Sequence, residues 1–398
     1  MMAAAKASET AEVTLIEKNE KLGKKLFITG KGRCNLCNDC DDPFFFECLN
    51  RNASFMYSSY YSFTAAMLKD FFESRGTPLK VERGDRVFPK SDKSSDIIKT
   101  LEKELRKNKV DIRLNTTVKS IRPAGDGYDL VTDKGVIHGD KVIVATGGTT
   151  YRLTGSTGDG YKWAEAFGMG VVKPVAGLVG LRLKEDYLEA LSGLSLKNVE
   201  LTAKTKAGIF MDFGEMLFTH FGISGPIVLS LSSKINRCKN VDLFLDLKPA
   251  LDDEVLDKRL LREIGENPNR AIHTMMKHLL PKSLIEPVLK EAQVPKDLPG
   301  HQLTVEMRQD LIRALKKFPL HYVGLFNENT GIITTGGVDV KDVDPSTMES
   351  RRAKGIYFCG EVLDVDGLTG GFNLQIAFST GYLAGMCAGE EANEDHCH

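Results

Sequence analysis

Cys34, Cys37 and Cys40 stand at C-x2-C-x2-C spacing, with Cys48 further on, and thiolates spaced in this way open the ligand run of an iron–sulfur cluster. The bacterial run closes with a fourth cysteine after three more residues and then a proline. Here seven residues separate Cys40 from Cys48 and Leu49 follows it, so the four read as free thiols. The 37 glycines carry more information, because they fall in the clusters GKGRC, ATGG, GSTGDG, ISGP, TTGGV and LTGGFN. Backbone without a Cβ lets a ligand approach closely. Glu17 ends the apolar run VTLIE, where a dinucleotide-binding βαβ unit places the acid that holds the ribose hydroxyls. Taken alone, it is equally an ordinary solvated strand end. His220, in FTHFGISGP, sits among glycines rather than on an apolar helix face, and imidazole is the side chain most often used for proton transfer near neutral pH. Its competing role is a histidine satisfied by backbone carbonyls. His138, His273, His278, His301 and His321 show no metal-ligand spacing. His396 and His398 lie on an acidic tail expected to be disordered.

The elements that must position these groups alternate between strand and helix. Val13–Glu17 reads as a buried strand that follows an Ala-rich helical segment. Ser62–Ser74 reads as a helix stopped at Gly76. Ser95 or Asp96 is expected to cap a helix running to Asn108, with Ile97, Ile98, Leu101 and Leu105 on one face. Short strands are predicted within Val110–Ile121, Tyr128–Asp133 and Val136–Gly139. Lys141–Thr146 is continuously apolar, as a parallel strand covered on both faces must be, and it ends at Gly147 and Gly148. The class is therefore α/β. From about Gly180 several β-like runs lead to Phe244–Leu247, and helical stretches follow between Asp252 and Lys317, broken at Pro268, Pro281 and Pro295. At Gly355 the buried-strand pattern returns as GIYFCGE, followed by a glycine loop and a final helix from Gln375 to Ala388. Residues 1–180 and 352–398 are thus expected to form one discontinuous domain, with 181–351 inserted.

Charge narrows the partners. Among 398 residues, 53 are Lys or Arg and 54 are Asp or Glu, a net charge of -1, which argues against a broad footprint for nucleic acid or anionic lipid. Every long apolar stretch is interrupted by charge well short of the roughly 20 residues of a spanning helix. The first residues lack the apolar core of a secretory signal. A cytoplasmic location is expected, where eight cysteines remain thiols.

Counting back about 20 residues from Glu17 puts the phosphate-binding glycines before Met1. The expectation is a chain that starts inside the crossover helix, with the first strand and its GxGxxG missing. The strings EVTLIEKNEKLGKKLFITGKGRCN, KVIVATGGTTYRLTGSTGDGYKWAEAFGM, LFTHFGISGP and GIYFCGEVLDVDGLTGGFNLQIAFSTGYLAG together resemble the BaiN-like family of FAD-dependent, NAD(P)-linked oxidoreductases. The resemblance runs in order along nearly the whole chain. It implies an FAD-binding, Rossmann-like domain of the two-dinucleotide-domain type with an inserted β-barrel and helical region.

It also implies site residues. Glu17 and Lys18 would meet the adenosine ribose, and the loop Thr29, Gly30, Lys31, Gly32, Arg33, Cys34, Asn35 would lie along the flavin. Arg33 would offer donors to an anionic oxygen, or else form a surface ion pair. Val118 would give main-chain contacts to adenine, or be a core valine. Ala145, Thr146 and Gly147 would let the adenosine half pass close to the backbone. Gly360 and Glu361 would meet the ribityl and phosphate region. Gly370, Gly371, Phe372, Asn373 and Leu374 would open the last helix, aiming N–H groups at the edge of the flavin that gains negative charge on reduction.

One activity in that family is reduction of conjugated double bonds in 3-oxo bile acids. For this chain it implies FAD with NADH or NADPH as reductant, and an apolar oxo-steroid or bile acid, free or CoA-linked, as substrate. His220 or Tyr151 could donate the proton. Phe210, Met211, Phe213, Met216, Leu217 and Phe218 could line an apolar substrate cleft, or be core. The rivals are a flavin oxidase of a small amine such as aminoacetone, a nucleotide-binding interaction protein without turnover, and a flavin-dependent tRNA modifier, which the net charge disfavours.

Overall fold

Strands that are apolar on both faces need covering layers, which holds for KVIVAT, whose Val142 and Val144 are buried. It does not hold for VTLIE: Thr14 is exposed and Leu15 and Ile16 are half-buried, in a strand with a ladder on one side alone among the described residues. In the computed structural model, which describes residues 1–390, VTLIE contributes the strand Thr14–Ile16, parallel to Asp111–Arg113. KVIVAT contributes Val142–Val144, parallel to Ile356–Phe358. These two pairs share no ladder among the described residues. The tail carrying His396 and His398 lies outside the described residues.

The chain forms two compact units, Met1–Ala176 together with the segment from Asn329 onward, and Gly177–Glu328. The first unit takes the chain back at 329 rather than at 352, because the fully buried strand Ile333–Val338 pairs with Val171–Gly177. An antiparallel meander, Val118–Ala124, Gly127–Thr132 and Gly135–Gly139, and a three-stranded sheet in which Arg86–Pro89 pairs with Cys37–Asn38 and Leu79–Glu82 complete its main β-structure. The helix Ser94–Lys107 buries Ile97, Ile98, Leu101 and Leu105, as the spacing predicts. Its start differs from expectation: Lys93 is the N-cap and makes no side-chain cap, while the Ser94 hydroxyl donates to the Phe27 carbonyl at 2.6 Å. The last helix, Phe372–Gly389, repeats glycine at 381, 385 and 389. A Cβ at Gly385 would stand 2.3 Å from the Ala3 carbonyl oxygen, so the Ala-rich helix Met2–Ala7 packs on it backbone to backbone.

The second unit holds a seven-stranded sheet in the order Phe318–Leu320, Asp242–Asp246, Ser195–Thr205, Gly208–Thr219, Gly222–Ser224, Leu181–Leu183, Tyr322–Leu325. The two edge strands are neighbours in sequence, separated only by His321. The sheet must therefore curl until its edges meet, which is the expected barrel. The helices Asp253–Glu266, Lys282–Glu291 and Val305–Lys316 bury Leu256, Leu289 and Leu315 in one core with Leu243 and Leu245. Period-two alternation splits the apolar run read as a cleft wall. Met216 and Phe218 are fully buried, and Phe210 packs against the same core. Met211 and Phe213 point out and are each 58% exposed. Among the described residues, no helix is long and apolar enough to cross a membrane.

Candidate cofactor site

Glu17 extends the ladder of the first strand, its N–H donating to the Arg113 carbonyl at 2.9 Å. Its Oε1 accepts from the N–H and the side-chain amide of Asn19, at 2.8 and 2.7 Å. The carboxylate is thus held at the strand end. Next to it, the Lys18 ammonium donates to Asp159 Oδ2 at 2.7 Å and to the Thr157 hydroxyl. Asp159 opens the helix Asp159–Ala166, where a negative charge complements the exposed N–H groups. Burial would raise the Asp159 pKa, but the hydrogen bonds from Lys18 and Thr157 outweigh it and hold the carboxyl below its ordinary value.

The loop after Ile28 reverses through left-handed backbone at Gly30, Lys31 and Cys34, with φ of 56, 59 and 60°. A Cβ at Gly30 would stand 2.9 Å from the Asn35 nitrogen, whereas the space at Gly32 is open. Gly30 therefore closes the turn, and Gly32 leaves backbone accessible. Thr29 is used locally: its hydroxyl donates to Leu26 O at 2.7 Å and its carbonyl accepts from the Cys34 N–H at 3.0 Å. Arg33 is committed elsewhere. Its Nε donates to Asp92 Oδ1 at 2.8 Å, its Nη2 meets Glu82 and Asp92, and it lies 4.1 Å from the Phe88 ring centroid. The ion-pair alternative describes this geometry.

Cys34 and Cys37 are fully buried in an apolar cluster with Leu36, Leu68, Phe72 and Val87, whereas Cys48 belongs to a different cluster. Burial pushes the Cys34 thiol up to about 12 and the Cys40 thiol up to about 11, and raises Cys37 as well. Since the thiolate is the reactive form, alkylation of Cys34 and Cys37 near pH 8 is expected to run on the order of 100-fold slower in the folded protein than in urea. Mass spectrometry of the labelled peptides reads this; equal rates would contradict the burial. Among the described residues, no three His, Cys, Asp or Glu side chains converge on a metal position.

At the end of the second parallel pair the chain turns through Ala145, which is exposed, into Thr146 and Gly147. A Cβ on Gly147 would meet the Ser156 hydroxyl at 3.0 Å, and one on Gly148 would collide with Thr334 Oγ1 at 2.1 Å. Gly148 is thus needed for internal packing. The Thr146 hydroxyl is buried without a partner, as is the Tyr161 hydroxyl on the adjacent helix. Glu361 is clasped: Oε2 accepts from the Lys25 ammonium at 2.6 Å, and Oε1 from the Thr334 N–H at 2.7 Å. Lys25 also donates to the Thr150 hydroxyl at 3.0 Å. Gly360, at φ 78°, has only Ala377 Cβ near its own Cβ position, at 3.8 Å, and its N–H donates to Thr380.

The last helix begins at Gly371, φ 107°, with no side-chain cap. Phe372 is buried against Phe44 and Phe45. The Asn373 side chain turns back to hold Gly367 and Leu368, and Leu374 packs on the core. What remains for a ligand is the N–H groups of this first turn. Val118 pairs with Thr132 and lies partly buried against the core, which suits its core reading. Tyr151 adopts φ 53° and is 37% exposed. His220, exposed, occupies the two-residue turn between Thr219 and Gly222, with its ring edge-on to Phe221.

The first unit therefore gathers Glu17, Lys18, Thr146, Gly147, Gly360 and Glu361 at the carboxyl ends of its parallel strands. Sequence reasoning missed Lys25, Thr157 and Asp159. Asp159 was marked by its place inside the GSTGDG cluster; Lys25 carried no signal of its own. An FAD molecule fits the donor set. Buried hydroxyl and amide atoms without partners at Thr146 and Asn35, open backbone at Gly32 and Gly360, and the uncapped helix start at Phe372 are groups that a polar, anionic dinucleotide would satisfy.

Comparison with known proteins agrees with this architecture. The HI0933-like protein Rossmann domain matches residues 1–387. The 3-dehydro-bile acid delta(4,6)-reductase of Clostridium scindens is 32% identical over 393 residues, covering 98% of this chain and 95% of that protein. The ribosomal RNA dihydrouridine synthase of Escherichia coli is 33% identical over 373 residues, covering 93% and 90%. A crystal structure of the 3-ketosteroid delta1-dehydrogenase of Sterolibacterium denitrificans superposes with a TM-score of 0.50 at 12% identity, covering 98% of this chain and 97% of that one. That last likeness speaks to fold alone. The chain belongs to the HI0933-like Rossmann family, whose fold is the FAD-binding Rossmann type.

Proposed function

We propose that this protein is an FAD-dependent reductase of carbon–carbon double bonds conjugated to a carbonyl, with NADH or NADPH as reductant and a 3-oxo steroid or bile acid, free or CoA-linked, as substrate. The observation that carries the reading is the uncapped start of the helix Phe372–Gly389, within the same unit as Glu17 and Glu361. Bound FAD would supply hydride transfer, chemistry that side chains lack. Glu17 would accept from ribose hydroxyls, and Gly360 would let the ribityl chain pass. The first N–H groups of the last helix would stabilise negative charge at the ring edge. Saturating the double bond takes a hydride at the carbon distal to the carbonyl and a proton at its neighbour, so the protein must also provide an acid; Tyr151 and His220 are the candidates.

Two names among the relatives share this chemistry. A bile-acid delta(4,6)-reductase saturates bonds conjugated to a 3-oxo group, and forming dihydrouridine saturates the uracil bond conjugated to its carbonyl. Relatives of the latter name, 33% and 30% identical, favour a second reading in which the substrate is a uracil of ribosomal RNA. The net charge of -1 favours the small molecule.

The test is anaerobic. The protein is reduced with NADH or NADPH and then mixed with a 3-oxo-4,6-diene steroid or with uridine-containing ribosomal RNA, and the product mass is read. Two added hydrogens on the steroid support the first reading, and two on uridine alone the second. Turnover of neither would overturn the reductase. Tyr151→Phe or His220→Gln, whichever removes the donor, should slow oxidation of the reduced protein by substrate by about 100-fold while leaving its reduction by NAD(P)H unchanged.

A further inference from the structure

The strand Cys37–Asn38 touches the first turn of the last helix, since a Cβ at Gly371 would stand 2.4 Å from the carbonyl carbon and oxygen of Cys37. Asn38 is 6% exposed, and its amide nitrogen donates to the carbonyls of Gly84 and Gly370, at 3.0 and 3.1 Å. Only the nitrogen of an amide can meet two carbonyl oxygens, so the side chain has one orientation and Oδ1 is left as an acceptor. That oxygen is buried and has no partner. A buried acceptor without a donor is costly, and a ligand that supplies the donor removes the cost. Beside it the uncapped helix start presents N–H groups with partial positive charge.

A ligand that satisfies both must carry a donor hydrogen, on nitrogen or oxygen, together with an oxygen able to take negative charge. The edge of an imide, a C(=O)–NH–C(=O) group, offers the two side by side. We propose that Asn38 Oδ1 accepts the imide N–H of the flavin ring, while the helix start takes the neighbouring carbonyl oxygen. The inference rests on the flavin reading above and adds to it a residue that sets which ring the site accepts. A uracil ring presents the same edge, so the test uses flavin without substrate and keeps a separate uracil arm.

The protein, freed of flavin, is titrated with FAD and with 3-methyl-FAD, in which a methyl group replaces the imide hydrogen, and protein-bound flavin is followed by fluorescence. Wild type is expected to bind 3-methyl-FAD about ten-fold or more weakly than FAD. Asn38→Leu is expected to bind the two alike. Equal affinities in wild type would overturn the proposal, and this comparison stands even where Asn38→Leu does not fold. If the protein ignores flavin methylation but discriminates uridine from 3-methyluridine, Asn38 reads the substrate and the flavin assignment is overturned. Uptake of neither flavin would defeat the flavin reading itself, and this inference with it.

Discussion

Gly371→Ala is expected to lose about 3–5 kcal/mol of stability, combining backbone strain with overpacking against rigid neighbours. The residue sits at φ 107°, and a Cβ there would stand 2.4 Å from the carbonyl carbon and oxygen of Cys37 and 2.8 Å from its Cα. Backbone held in a ladder with Val87 cannot retreat as a flexible side chain would. The helix start or the Cys37–Asn38 strand must therefore shift, and with it the N–H groups proposed to face the flavin. Gly32→Ala is the control. It carries the same kind of positive φ, 84°, but meets nothing within 4 Å, so it should cost only the left-handed penalty of about 1–2 kcal/mol. Thermal melts of the two variants, both freed of flavin, decide the matter. Equal melting temperatures would mean that the strand does not press on the helix.

The contrast between these glycines shows what the sequence could and could not tell. Clusters of glycine are visible in a string of letters, but two physical causes produce them. At Gly32 and Gly360 the missing Cβ leaves open backbone, whereas at Gly148, Gly371 and Gly385 it makes room for another part of the same chain. Only three-dimensional contact separates the cases. The strands ending at Thr146 and Gly360 were legible because a strand covered on both faces is continuously apolar. The same letters before Glu17 overstate burial, since Thr14 is exposed and Leu15 and Ile16 are half-buried. The alternation along Gly208–Thr219 emerged only with its register. Partners distant in sequence were not legible. Lys25 and Glu361 lie 336 residues apart, and Asn38 and Gly370 lie 332 apart; nothing local to either member of such a pair announces the other. Arg33 is a further case: its guanidinium pairs with Glu82, at the end of the strand Leu79–Glu82, and with Asp92, and nothing within GKGRCN announces either partner.

Arg51→Leu is expected to cost about 3 kcal/mol, the low end of what breaking a buried ion pair costs, because the Arg51 side chain keeps 32% of its exposure. Its Nε and Nη2 donate to the two oxygens of Asp364 at 2.7 Å each, and the carboxylate is 3% exposed. Such a two-point fork fixes orientation as well as charge. The Asn52 amide, which donates to the Asp364 carbonyl at 2.6 Å and to its Oδ2 at 3.3 Å, is a neutral donor and cannot replace the lost cation. The pair joins Leu49–Arg51 to the segment that runs through Asp366–Gly367 into the last helix, so the loss should reach the cofactor site as well as the core. The double variant Arg51→Leu with Asp364→Asn removes the stranded charge and should recover at least half of the lost stability in urea denaturation, since most of the penalty is an unpaired charge rather than a missing contact. Flavin retention should follow a different pattern. If Arg51 positions the loop through this fork, retention stays low in the double variant despite its recovered stability; if retention recovers in step with stability, the fork serves folding alone. A cost below about 1 kcal/mol for the single variant, the range of an exposed pair, would mean that Asp364 is reached by water and that the clasp is not what holds the helix start in place.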